Sequence, residues 1–324
     1  MRYQFTLTQP ARRREALGIT LLAVCAAGTA VFVACGDRRS RAAEAREPAA
    51  PVVAPSNATP AIPPPSEVSP VVTGPVSYER ADSAFRQNHF SEAVSLFAVY
   101  TMRRPDNPWG HYMLGLSAWR AGDRETAEQE LQKTIALDST HLKARLNLSR
   151  VLIETGRAKQ AQDQLQAVLR LDSTSTAAYR LIGRAHNAVG ETDAAIDAYK
   201  HAILLDSNDV WAMNNLALVY LEQGRFEDAA KPLARAVEVD SSTVQFRNNL
   251  GLALERAGHY SEAAKAFASA LAIDSNYAKA SVSRTRVTSL KEDPRLPGVD
   301  LAALARSFAL EVETWRKSAV RPGS

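Results

Sequence analysis

From about residue 76 onward, apolar side chains fall at three- and four-residue steps, and the pattern restarts every 34 residues. Val210–Thr243 shows one full period. Between Trp211 and Gln223 the apolar positions Met213, Leu216, Ala217 and Tyr220 lie on one face of a predicted helix. Gly224 follows, and a glycine there takes positive φ without a Cβ clash, closing the helix C-terminus. Phe226 to Val239 is predicted as a second helix, with Ala229, Ala230, Leu233, Ala236 and Val237 on one face. Pro232 lies inside it and is expected to weaken or kink its first turns. Asp240 and Ser241 offer side-chain oxygens that are expected to cap the next helix.

Several columns keep the same step. Glycine recurs at Gly122, Gly156, Gly190, Gly224 and Gly258, and alanine at Ala93, Ala127, Ala161, Ala195, Ala229 and Ala263. The tripeptide Leu137-Asp138-Ser139 returns as Leu171-Asp172-Ser173, Leu205-Asp206-Ser207, Val239-Asp240-Ser241 and Ile273-Asp274-Ser275. A period of this length means stacked copies of one small unit rather than a single globular core. The column Ala81, Gly115, Ser149, Gly183, Ala217 and Gly251 is small throughout, so the two helices of a unit can cross closely. Phe97, Leu131, Leu165, Tyr199, Leu233 and Phe267 fill the space between helix layers, as do Leu114, Leu148, Ile182, Leu216 and Leu250. One hairpin alone cannot bury these faces; stacking does.

The pattern Leu216-Ala217, Tyr220, Gly224, Ala229, Leu233, Ala236 resembles the consensus of the tetratricopeptide repeat (TPR) family. So does Ile182-Gly183, Gly190, Ala195, Tyr199, Ala202. The resemblance covers six units, residues 76–277. It implies an all-α TPR solenoid, a right-handed superhelix of helix-turn-helix repeats, whose first helices line a concave groove for a peptide or partner protein. The proline usual near a unit's end stands only at Pro105, and the first unit carries Asn88 for glycine and Arg80 for the core leucine. An atypical end unit is expected of a stack.

Toward the front of that groove stand Tyr78, Phe85, Tyr112, Leu116, Trp119, Leu146 and Ile153, an apolar trough. Farther along, polar residues take over. Asn147, Asn215 and Asn249 share a column interrupted by Leu181. An amide both donates and accepts, so a ladder of them could grip a peptide backbone; within the family such a ladder implies binding irrespective of side chain. Arg150 and Arg184 form a 34-step pair, with Arg180 one turn before Arg184, and guanidinium groups pair with carboxylates. The competing reading leaves these residues solvated or bridging neighbouring units. The family's clamp for an acidic C-terminal tail would require Arg180, Arg184, Asn215, Gln245 and Asn249 to match, and only Asn215 does. A dedicated clamp is not expected; a looser acidic-peptide site is.

Chemistry is scarce elsewhere. His89, His111, His141, His186, His201 and His259 form no metal-ligand motif, and no nucleophile elbow or phosphate loop is present. His186 falls in an otherwise apolar column and reads as packing. No catalytic residue, cofactor or metal is assigned, and the chain is not expected to be an enzyme. The chain has 39 basic and 35 acidic residues. Residues 1–47 hold eight basic and four acidic groups, so the whole excess lies in front of the repeats. No basic stripe recommends nucleic acid as a partner.

The front segment points to a membrane. Arg12, Arg13 and Arg14 precede an uncharged run from Ala16 to Ala34, the layout of an export signal or a single span. The run ends in Phe32-Val33-Ala34-Cys35-Gly36, similar to a lipoprotein cleavage box with Cys35 as the lipidated residue. Residues 1–35 are therefore read as a signal or an uncleaved anchor. Residues 36–75 form a proline- and alanine-rich linker suited to extended polyproline conformation. Residues 278–292 are expected to form a solvating cap helix. Residues 299–318 are expected to form an amphipathic helix capped by Asp300 and packed back on the last repeat. The expectation is a membrane-tethered scaffold facing out of the cytoplasm, in the bacterial envelope, where it assists complex assembly. A cytoplasm-facing adaptor and a repeat-borne hydrolase are the alternatives.

Overall fold

A computed structural model describes residues 76–320; among these residues there are fourteen helices and no strand. Twelve pair into hairpins: α1 (Tyr78–Arg86) with α2 (Phe90–Arg103), α3 (Pro108–Ala121) with α4 (Arg124–Leu137), and α5 (Leu142–Glu154) with α6 (Ala158–Leu171). Then come α7 (Thr176–Ala188) with α8 (Thr192–Leu205), α9 (Val210–Glu222) with α10 (Phe226–Val239), and α11 (Val244–Arg256) with α12 (Tyr260–Ile273). Two single helices follow, α13 (Ala278–Thr288) and α14 (Leu301–Val320). From α1 to α13 each helix packs on the next in sequence, making an all-α solenoid.

The repeating columns form its core. The six alanines from Ala93 to Ala263 are fully buried, as are Phe97, Leu131, Leu165, Leu233 and Phe267. The small residue of each first helix sits against the large residue of the second. A Cβ on Gly183 would lie 2.5 Å from Tyr199 Cε1, and one on Gly251 would lie 2.7 Å from Phe267 Cε1. At the hairpin bends the five column glycines all adopt positive φ, and in the first unit Asn88 does so at 62°. Asparagine is among the few side chains that visit this region readily.

The Leu-Asp-Ser motif differs from its expected role. Asp240 does not cap α11. Its Oδ1 accepts hydrogen bonds from Ser242 N at 2.8 Å and Ser242 Oγ at 2.7 Å, and its Oδ2 accepts one from Thr243 Oγ1 at 2.6 Å. Asp138, Asp172, Asp206 and Asp274 likewise accept from the backbone N–H two residues on. The aspartate is the C-cap of the second helix, too early to reach the next helix, so it braces the turn between units. Caps come later, from His141, Ser175 and Asp209. Pro232 also departs from expectation: α10 runs through it unbroken. The proline removes one N–H, and the buried packing of α10 between α9 and α14 holds the helix.

Asp300 caps α14 by accepting from Ala303 N at 3.1 Å. The helix does not return to the last hairpin. It lies along α10 and touches α8, burying Ala305, Phe308 and Val312. Lys231 Nζ meets Glu311 Oε1 at 2.7 Å, and the Lys200 ammonium sits 5.2 Å from the Trp315 ring centre. A matching charge and a matching ring place α14 on this face.

The two sides of the stack are unequal. Successive first helices touch one another from α1 through α13, whereas among the described residues no two second helices of the hairpins do. The first helices are therefore the more closely spaced set, and the stack bends with them on its inner side.

Candidate functional site

On α3 the face carrying Gly115 packs on α4, where a Cβ would meet Leu131 at 3.0 Å. The adjoining face carries Trp109, Tyr112, Leu116 and Trp119 at helical steps. The equivalent face supplies Leu146, Arg150 and Ile153 on α5, then Arg180, Arg184 and Asn187 on α7. Leu116, Trp119, Leu146, Arg150, Ile153, Arg180, Arg184 and Asn187 are all part-exposed. They form a trough that is apolar at one end and cationic at the other.

A single rule positions its walls. A first-helix side chain bonds to the residue one period and one position later, on the next first helix. Asn147 Nδ2 donates to Tyr112 Oη at 3.2 Å, Trp119 Nε1 to Glu154 Oε2 at 3.1 Å, and Asn187 Nδ2 to Glu222 Oε2 at 3.1 Å. Asn249 Nδ2 donates to Asn214 Oδ1 at 2.8 Å. Asn214 Nδ2 donates to Asn215 Oδ1 at 3.4 Å. The four bonds that step by 35 residues tie unit to unit across the inner face.

The asparagine ladder is thus placed differently from the arginines. Asn147, Asn215 and Asn249 are all buried, and their amides have partners within the protein. Asn147 also accepts from Arg150 Nη1. Asn214, outside the predicted column, is only 1 % exposed and joins two of the others. The signal for it was available: a bond that steps by one period plus one residue links the two adjacent asparagine columns.

The arginines remain chemically open. Arg180 Nε pairs with Asp209 Oδ2 at 3.2 Å, and the same aspartate caps α9. Burial raises the Asp209 carboxyl above its usual range, opposed by the Ala212 N–H and by Arg180. Arg150 has Asn147 as its hydrogen-bond partner and, among the described residues, no ion pair. Burial lowers its guanidinium, and the nearby charges of Arg184 and Arg180 lower it further, opposed by Tyr112 and Glu154. Arg184 has neither hydrogen bond nor ion pair among the described residues. Two acids on this face have hydrogen-bond or ion-pair partners of their own: Glu154 has Trp119 and Arg124, and Glu222 has Asn187. Among the described residues neither Arg150 nor Arg184 forms an ion pair, although Glu154 lies close enough to act on the Arg150 charge.

At the trough's apolar end Tyr112, His141 and Trp109 cluster. The His141 ring centre is 4.7 Å from that of Tyr112 and 4.9 Å from that of Trp109. His141 Nδ1 accepts from Ala144 N at 3.1 Å, and burial pushes its imidazole toward the neutral form. The expected packing role of His186 is only partial. It is half-buried, with Nδ1 2.6 Å from Glu191 Oε2.

Hairpins of this geometry, with inner first helices and a recurring small-on-large contact, define a helical-repeat solenoid. Tetratricopeptide repeat models match residues 78–141 and 214–278, 118–185, and 174–242, and the chain belongs to the TPR family. Solved structures agree on the fold. A TPR protein from Parabacteroides merdae superposes with a TM-score of 0.57 at 14% identity, covering 65% of this chain and 82% of that one. The Cut9–Hcn1 hetero-tetramer of the APC/C gives 0.55 at 17% identity, over 64% and 41%. The thermophilic TPR protein TTC0263 of Thermus thermophilus gives 0.51 at 17% identity, over 57% and 100%. No curated protein matches the chain. Among the described residues no helix is long and apolar enough to cross a membrane. The run Ala16–Ala34, Cys35 and the linker lie outside the described residues.

Proposed function

We propose that this TPR protein is a membrane-tethered, non-catalytic scaffold. Its inner face holds an extended segment of a partner protein, with acidic residues at Arg150 and Arg184 and apolar ones toward Tyr112 and Trp119. The observation that carries this reading is Arg184, part-exposed beside Arg150 with no acid of its own. Two close cations that form no ion pair of their own repel each other, and a carboxylate brought by a partner relieves that repulsion. Arg180, held by Asp209, lends charge and position. Asn147 and Asn249 tie successive first helices together, and Asn215 braces Asn214. Fluorescence anisotropy with a labelled acidic, leucine-flanked peptide tests the site. Arg184→Glu should weaken binding at least about tenfold, or ~1.4 kcal/mol. Equal affinity would remove the site.

The tether rests on the sequence before residue 76. An uncharged run after three arginines and a cysteine at its end support lipidation or an anchor, with the repeats on the exported side in an envelope complex. Globomycin treatment or Cys35→Ala should block maturation. Unchanged mass and unchanged membrane fractionation would overturn lipidation.

A further inference from the structure

Two tryptophans on the first helices have no place in the core. Trp109 is 50 % exposed and Trp211 is 45 % exposed, the largest rings so exposed among the described residues. They occupy the same register position, the second residue of α3 and of α9. Each is propped rather than buried. Trp109 stands edge-on to Tyr112 and His141, at 5.7 and 4.9 Å between ring centres, and Trp211 stands edge-on to Phe246 at 5.0 Å. At the same register between them come exposed Lys143 on α5 and part-exposed Ala177 on α7. Arg180 and Arg184 lie one and two turns farther along α7. The inner edge therefore reads aromatic, cationic, small, aromatic, with the unpaired Arg184 beside its middle.

An exposed indole is a large apolar surface held in water, and such rings anchor partner segments. The cations between them fix the partner's chemistry. Resting on the groove reading above, we infer that the partner segment is acidic in its middle and carries an apolar side chain at each end, one for Trp109 and one for Trp211. The helix spacing gives the length. Neighbouring first helices touch, packed helices lie about 8–10 Å apart, and α3 to α9 is three such steps, about 27 Å. An extended chain rises about 3.3 Å per residue, so the two anchors are about eight residues apart.

The test is a set of fluorescein-labelled peptides measured by anisotropy on the whole 324-residue chain. Each peptide has a leucine at both ends of an aspartate- and serine-containing spacer, with the leucines four, eight or twelve residues apart. Affinity should peak near eight. Trp109→Ala and Trp211→Ala should each weaken the best peptide roughly tenfold, and each should have little further effect on a peptide lacking the corresponding leucine. Circular dichroism melts of both variants confirm that they remain folded. If Arg184→Glu abolishes binding while leucine spacing and both tryptophan variants make no difference, the anchor inference is wrong and the groove reading stands. If Arg184→Glu makes no difference, or if no acidic peptide binds, both are wrong.

Discussion

Asn249 could serve as a rung for a peptide or as a bridge between units, and its burial favours the bridge. Its amide bonds to Asn214 on the preceding first helix. Asn249→Ala leaves Asn214 Oδ1 without that donor in a buried site. It is expected to lower unfolding stability by about 1–3 kcal/mol in urea denaturation, while peptide affinity stays unchanged. Unaltered stability with lost affinity would put the amide on the peptide instead. Arg150 and Arg184 repeat by one period and share one face, as the sequence spacing requires. That Arg184 would lack an acid was not visible, since Glu154 and Glu222 reach their partners only through the contact between units. Asp240 offers a separate check. Hydrogen bonds from Thr243 and Ser242 hold its carboxyl down to about 2, against about 3.9 in an unfolded chain. A folded-state value below the unfolded one means stability that is complete above about pH 4 and is lost as pH falls through about 2. A carbon-detected titration of this carboxyl should show a midpoint near 2. A midpoint near 4 would mean the turn is not braced as described.

At the scale of the hairpin, most of the structure was legible. Helix lengths, bends and core columns follow from side-chain size at a fixed period, and a 34-residue repeat gives each column several independent witnesses. Gly183 and Gly251 are small because an aromatic ring occupies the space a Cβ would take. Gly183→Ala should therefore cost about 1–3 kcal/mol through overpacking. At Gly156 nothing lies within 4 Å of a built Cβ and φ is +77°, so Gly156→Ala destabilises through the backbone alone. Thermal melts that rank Gly183→Ala no worse than wild type would contradict the close crossing. Caps and breakers were less legible. Asp240 lies one residue beyond α10 and three before the first residue of α11's cap-bearing turn, and position alone did not say which helix it serves. Pro232 showed that a local penalty can be outweighed by packing on two sides.

Across the whole described stack, the feature least visible in sequence was the seat of α14. Its apolar stripe was plain, but a stripe does not name the surface it meets. Lys231, Lys200 and the buried ring of Phe308 do so only once α14 meets both α8 and α10. Phe308→Ala should destabilise by about 3–5 kcal/mol and raise hydrogen exchange in α10 before α3. Uniform exchange along the stack would argue that α14 is not a structural strut. The inner face stays clear of this helix, which leaves the trough around Arg150 and Arg184 for a partner. The most direct measurement is a crystal structure of the protein with the acidic peptide of optimal spacing. The account predicts the peptide along the first helices, its carboxylate oxygens within hydrogen-bond distance of Arg150 and Arg184. A peptide seated on the second helices or on α14, with both arginines untouched, would contradict it.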